Sequence, residues 1–560
     1  MPVSNGKFDT PVLIAGGGPV GMTLALQLAR CGVRSMLVER NATTTRHPKM
    51  DITNSRSMEL FRRLGLAPAL RQAAVPEDHN FDVSWIDTMV GHELCRFRYP
   101  SVTQSRAFIR AHNDGTQPVE PPMRVSQVKI EPVLKAAIDA AAEVTVRFAT
   151  AFEDLTQDAR GVTAVIRDAD SGATETIRSQ YLAGCDGAGS IARKCLGIGM
   201  SGESQIVQRF TTYFRSKAPL LRRWGLAWHY QSPLGTLIAQ NDDDLWSLNS
   251  RFPEDWDFSN TDASALLVRF LGRQIDHEVL VANRWTPHLL VADAYAAGRV
   301  LLAGDAAHQY IPTGGYGMNT GIGDACDLGW KLAAVLHGFA GPALLDSYDA
   351  ERRSVGLRNR SGSAAHMQMR RDIFALYHAA KIYGGAPVSD GVREAVGRGI
   401  AVIGNPENES TGIEYGYHYA NSPLVCADDG EQAPEDTLRY RPSTVPGVRL
   451  PNVYLEDGVA LHDKLGTWFT LLCIDTLPSR AWVDAAARCG LPLTVLHLTG
   501  TSLAEIYGRR QMLIRPDQHI AWRGAARLDT ATAEGVLRTV LGFTPRFATA
   551  AAARAAAARG

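Results

Sequence analysis

GDAAHQYIPTGGYGMNTGIGDACDLGW, residues Gly304 to Trp330, is the stretch whose reading decides the fold. The apolar run Arg299–Ala303 before it reads as a strand. A carboxylate, Asp305, then leaves the sheet at its carboxyl end, where open α/β sheets bind ligands. Gly314, Gly315, Gly317 and Gly321 follow, and a backbone without Cβ atoms passes close to a flat ligand. Met318 and Asn319 are expected to open a helix that places Ala325, Leu328, Leu332 and Val335 on one face. Its amides and positive dipole end suit the charge on the edge of a reduced isoalloxazine. An ordinary strand-turn-helix reads the same way, so the remaining segments must separate the two.

The N-terminus separates them. Val12–Ala15 reads as a buried strand, Gly16-x-Gly18-x-x-Gly21 as the turn with Pro19 inside it, Val20–Cys31 as a helix, and Ser35–Val38 as a second strand ending on Glu39. In that context the glycines bring a pyrophosphate to the helix N-terminus, and an acidic residue about 20 positions on holds a ribose hydroxyl. A carboxylate at position 39 would repel a 2′-phosphate, so the pocket is expected to take the adenosine of FAD or NAD and to reject NADP. A third element lies at Tyr181–Ala183, a strand end followed by Cys185, Asp186, Gly187, Ser190 and Arg193.

With these three elements, and with RVSQVKIEPVL at Arg124–Leu134, the chain closely resembles the single-component flavoprotein aromatic hydroxylases, in the branch that includes phenol hydroxylase and hydroxybiphenyl monooxygenase. The likeness runs over nearly the whole sequence and is weakest between residues 200 and 285, where substrate is chosen. It implies an α/β fold: a Rossmann-like FAD-binding domain, an interleaved antiparallel-sheet substrate domain and a C-terminal thioredoxin-like domain. It implies flavin contacts from Gly16, Gly18, Pro19, Gly21, Glu39, Arg40, Arg46, Arg124, Gln127, Asp186, Gly187, Asp305, Pro312, Gly315, Gly317, Met318 and Asn319. There is no second GxGxxG in strand context, and the family answers this by binding NADPH or NADH transiently, with Asp186 serving both cofactors.

Domain limits follow from the motifs. Residues 1–200 and 285–360 should interleave into the flavin domain, because the strand before Asp305 must return to the sheet begun by Val12–Ala15. Between them, 201–284 carries short strands at Ile206–Phe214, Ala227–Gln231, Thr236–Gln240 and Leu245–Phe252. Segment 361–440 reads as helical and then as a linker. Residues 441–546 form the thioredoxin-like unit, with Trp468–Ile474 as its central strand and Cys473 without a CxxC partner, which argues for a structural role such as homodimer contacts. The alanine- and arginine-rich tail 547–560 is expected to fray.

Composition sets limits. The 560 residues carry 58 basic and 58 acidic side chains, dispersed, which gives no electrostatic case for nucleic acid or an anionic membrane. Neither a membrane-spanning run nor a secretory leader is evident, so a cytoplasmic location is expected. Eight scattered cysteines without metal spacing suggest reduced buried thiols and no metal site.

The resemblance also implies the chemistry. A reduced flavin adds O2 to form a C4a-hydroperoxide, and a phenol becomes a good target once its proton is removed. Asp51, in MDITNSRSME, falls where phenol hydroxylase carries a catalytic aspartate, and the alternative is that it caps the helix starting near Ser55. Tyr213, Trp228 and His229 are candidates for the cavity wall, though a half-buried strand face explains them equally. His308 reads as a hydrogen-bonding support. The expected activity is FAD- and NAD(P)H-dependent hydroxylation of a phenolic ring, ortho to its hydroxyl, with O2. Alternatives on the same scaffold are a Baeyer–Villiger or polyketide-tailoring oxygenase, and in another class a non-catalytic flavin-binding redox sensor.

Overall fold

A computed structural model describes residues 8–204, 208–241, 243–252, 256, 260–383, 387–426, 431–524 and 528–543. Ile206, part of the expected linker and the tail 547–560 fall outside these residues.

The three motif-bearing strands lie side by side. Thr10–Ala15 pairs in parallel with Thr174–Gly184 on one side and Ser35–Val38 on the other. Thr174–Gly184 in turn pairs in parallel with Val300–Leu302. Val144–Arg147 extends the sheet beyond Ser35–Val38, and Thr150–Gln157 with Val162–Asp168 form an antiparallel flap on Thr174–Gly184. Segments nearly 300 residues apart thus present their carboxyl ends, and the turns that follow, at one edge.

Sterics fix the turns. Gly16 has φ +110°, and a Cβ there would lie 2.2 Å from the Cys185 carbonyl oxygen. Only glycine fits both restraints. Gly315, at φ +66°, is the N-cap of the helix Tyr316–Leu336, and a Cβ would meet Ile52 Cγ2 at 2.4 Å. That helix starts two residues earlier than the sequence suggested and is buried on nearly every side rather than on one face. The helix Pro19–Arg30, the long helix Ala343–Ala379 and the C-terminal domain all pack on it.

The second sheet differs from expectation in two ways. Its seven strands run Glu278–Trp285, Arg209–Arg215, Leu245–Arg251, Gly235–Ala239, His229–Ser232, Val83–Ile86 and Glu93–Phe97, so two come from within residues 1–200. His229–Gln231 and Val83–Trp85 pair in parallel, so the sheet is mixed. Alternation then sorts its side chains. Tyr230, Leu237, Leu248, Trp246 and Phe214 pack against Leu267, Phe270 and Leu271 of the helix Ala263–Leu271. His229, Ile238, Ser247 and Tyr213 form one cross-strand row on the other face.

The helix Ala343–Ala379 runs through the expected boundary at 360, and Asp390–Ile403 follows as a second helix. The C-terminal unit is a four-stranded sheet, ordered Thr494–Leu498, Thr470–Ile474, Gln511–Ile514 and Ile520–Gly524, with helices Arg480–Arg488 and Thr530–Val540. Thr470–Ile474 is central, as read. A buried ionic cluster joins this unit to the flavin domain. Arg515 reaches Glu351 at 2.7 Å, Asp327 at 3.1 Å and Asp517 at 2.7 Å, while Lys331 contacts Asp327 and Glu351. These three carboxylates are therefore answered by two cations. Cys31, Cys326 and Cys473 are buried, but Cys95, Cys185 and Cys489 are half-buried and Cys195 is exposed, so the expectation of buried thiols holds only in part. Among the described residues no helix is long and apolar enough to cross a membrane.

Candidate active site

Asp51 sits in a short bridge between domains. Ile52–Thr53 pairs antiparallel with Met123–Arg124, and the amides of Val125 and Gln127 donate to the carbonyls of Asp51 and Met50, each at 3.0 Å. The helix beginning at Ser55 is capped by Asn54, whose Oδ1 accepts from the Ser57 amide at 2.9 Å. Asp51 is thus not the helix cap.

Its carboxylate meets the second sheet. Oδ2 accepts from Trp228 Nε1 at 2.6 Å and faces His229 Nε2 at 3.3 Å. Oδ1 accepts no hydrogen bond among the described residues, and the side chain remains 18% exposed. Burial pushes the carboxyl up, but the hydrogen bonds from His229 and Trp228 and the nearby charge of Arg124 outweigh it and hold Asp51 below the usual aspartate value. Trp228 and His229 are therefore brought to Asp51. Tyr213 is not: it shares the row of His229 but lies three strands away, roughly 14 Å at the usual strand spacing.

Beyond His229 the same face carries Gln231, whose Nε2 donates to Glu407 at 3.2 Å. Glu407 is buried and held by both nitrogens of the Arg370 fork at 2.7 and 2.6 Å. Nothing in the sequence pointed to this wall, since position 407 lies in a segment read as helix and linker.

The nucleotide side is built from the three turns. A Cβ at Gly18, Gly187 or Gly317 would meet nothing within 4 Å, so these glycines border open space, while Gly16 and Gly21 are packed against backbone. Glu39 ends its strand and is tied by the Gly17 amide at 2.7 Å and the Asn41 amide at 2.9 Å. Pro19 is the first residue of the helix and Gly18 its N-cap. Arg124 is 3% exposed, and among the described residues its side chain bonds only to the carbonyls of Asn80 and Ala239 and its Nε finds no partner. Burial pushes its guanidinium down to about 10, with Asp51 opposing. An open glycine cradle at a helix N-terminus, an acidic ribose site and an orphaned buried donor fit FAD.

The other expected contacts divide. Asp305 is exposed after its strand. Arg40, Arg46 and Pro312 are also exposed, and Met318 is half-buried. Gln127 is buried and donates to Glu131 at 2.7 Å, whose other oxygen accepts the Thr45 amide. Asn319 links the two halves: its Oδ1 accepts the Asn54 amide, and its Nδ2 donates to the carbonyls of Ile52 and Gly315. Asp186 sits in the turn after Thr174–Gly184. Its carboxylate is engaged by Ser190 Oγ at 2.5 Å and by the amides of Ile191 and Ala192, so it supports its own turn. His308 is fully buried, with Nε2 2.8 Å from Asp324, which also bonds Arg352 and the Gly304 amide.

Residues 9–361 match the family model described as FAD binding domain, and residues 443–544 match Aromatic-ring hydroxylase, C-terminal. The chain is 36% identical to the FAD-dependent monooxygenase apdD of Emericella nidulans over 95% of its own length and 90% of the relative's. It is 31% identical to a putative polyketide hydroxylase of Streptomyces halstedii, covering 95% of this chain and 96% of that one. The solved structure of the rebeccamycin biosynthetic enzyme RebC with reduced flavin superposes with a TM-score of 0.84 at 34% identity, covering 96% of this chain and all of that one. With this cradle, this pair of domains and these relatives, the chain belongs to the FAD-dependent monooxygenases of the aromatic-ring hydroxylase family.

Proposed function

We propose that this monooxygenase hydroxylates a phenolic ring ortho to its hydroxyl, with Asp51 as the base. The observation that carries the reading is the carboxylate itself: one oxygen is fixed by Trp228 and His229, while the other accepts no hydrogen bond among the described residues and the side chain is partly exposed. When bound, FAD supplies the activated oxygen, taking two electrons from NADPH or NADH and passing one atom of O2 to the ring and the other to water.

The residues supply the rest. The phenol donates its hydroxyl proton to Asp51 Oδ1, which raises electron density at the ortho carbon as the new bond forms. A positioned base is worth about 10²–10⁴-fold. Trp228 and His229 hold the carboxylate plane so that Oδ1 keeps its aim, and Asn319 ties the Asp51 segment to the helix start below it. Glu39, Gly18, Gly187 and Asp305 would hold the nucleotide and ribityl parts, and Arg124 would meet the ring edge with its unpaired Nε. Likeness to a polyketide hydroxylase favours the second reading, in which the phenolic ring belongs to a larger polyketide.

The test is oxygen uptake by the FAD-loaded enzyme with NADPH or NADH across phenols of increasing size, with product mass. A gain of one oxygen atom in a phenolic product is expected. Reductant oxidised only to hydrogen peroxide with every phenol would remove this function and favour a redox sensor.

A further inference from the structure

The donors around Asp51 limit how weak an acid its substrate is allowed to be. Two N–H groups converge on Oδ2, and the buried Arg124 guanidinium, bonded among the described residues only to carbonyls, stands nearby. Groups facing this pair are Trp228 and His229 on the second sheet and, beyond Gln231, Glu407 of the Pro406–Asn408 turn, itself held by Arg370. Every contact on the carboxylate stabilises its ionised form. Such a carboxylate is always ready to accept a hydrogen bond, and it is a poor proton acceptor.

An unperturbed phenol ionises near 10, about six units above an ordinary aspartate, and here the gap is wider. A conjugated carbonyl or nitro group narrows the gap by spreading the phenolate charge into the substituent. Arg124 favours the same charge. We propose that the natural substrate is a phenol or enol acidified by a conjugated electron-withdrawing group, not a simple alkyl phenol. This rests on Asp51 being the base. In the step concerned the O–H bond breaks, its proton goes to Asp51 Oδ1, and its electron pair stays on the substrate oxygen.

The test compares phenol, 4-hydroxyacetophenone and 4-nitrophenol on photoreduced, FAD-loaded enzyme in single turnovers with O2. Electron-poor rings are intrinsically harder to hydroxylate, so the quantity read is the ratio of Trp228→Phe to wild type for each phenol, in which ring reactivity cancels. Loss of the Trp228 donor strengthens Asp51 as a base, so the ratio should be about tenfold higher for phenol than for 4-nitrophenol. Equilibrium binding to the oxidised enzyme, read from the flavin spectrum, should tighten about tenfold from phenol to 4-nitrophenol, and Asp51→Asn should lose that trend. His229→Asn serves as the second donor deletion if Trp228→Phe fails to hold FAD. A ratio constant across the three phenols, binding indifferent to acidity, or failure to hydroxylate either acidified phenol overturns the proposal. If Asp51→Asn instead hydroxylates all three like wild type, the base assignment itself falls. If Asp51→Asn is impaired while the ratios are flat, only the acidity inference falls.

Discussion

Two aspartate–histidine pairs sit at opposite ends of the Asp51–Asn319 connection, and they are built differently. Asp324 is wholly buried, with Oδ1 on Arg352 and Oδ2 shared by His308 and the Gly304 amide. Asp51 has one oxygen on Trp228 and His229 and the other open. The first pair spends both carboxylate oxygens, fixing the turn that follows Val300–Leu302 to the helix Ala343–Ala379. The second keeps one in reserve. An Asp–His contact by itself therefore says nothing about chemistry; the unspent oxygen does.

The sharpest way to break this contrast is to treat both sites alike. Asp324→Asn removes a charge that answers the buried Arg352, and a broken buried pair costs about 3–5 kcal/mol. Thermal unfolding should move down by several degrees and FAD should be lost. Unchanged stability would mean that Asp324 is not the scaffold described.

Glu59 offers a second scaffold carboxylate, with a pH signature. Burial raises its value, but Arg449, His462 and Arg56 bring it from 4.5 down to about 2. A depressed carboxyl stabilises the fold fully above 4.5, and that contribution fades as pH falls toward 2. Unfolding free energies from denaturant titrations across this range should fall in wild type by roughly 3 kcal/mol and stay flatter in Glu59→Gln.

Smaller effects sharpen the comparison at the cofactor. Asp305→Ala should weaken FAD retention by about tenfold on dilution, through loss of a charged acceptor for ribityl hydroxyls, without changing the melting of the apoprotein. Full flavin occupancy would move the ribityl site elsewhere. Asn54→Ala should cost about 1 kcal/mol, the usual value of a helix cap, with hydroxylation per bound FAD unaltered.

The cradle was legible because its restraints are local. Gly16, Gly18, Gly21 and Glu39 mark the first turn, and glycine at 16 is forced by a contact that any Cβ would violate. The cavity wall was half legible. Asp51, Trp228 and His229 were each singled out, but not their contact, because it joins chain segments 177 residues apart. Val83–Ile86 joining the second sheet and Glu407 closing the wall left no local mark, since long-range pairing has no sequence period. Asn54 rather than Asp51 as the cap turned on three positions, within the usual uncertainty of a helix end, where both residue types cap equally well. Asp186 kept its motif position while its carboxylate went to its own helix, a detail only coordinates reveal.

The most direct test of the account is a single turnover of photoreduced Asp51→Asn with O2 and a hydroxylatable phenol, scored as product against hydrogen peroxide. Asparagine keeps the shape and accepts the Trp228 hydrogen bond, but it does not take the phenolic proton. The account predicts normal FAD content and flavin reoxidation, with hydroxylated product down by about 10²–10⁴-fold in rate and peroxide in its place. Product formed at the wild-type rate and yield would contradict it, and would leave Asp51 a structural carboxylate like Asp324.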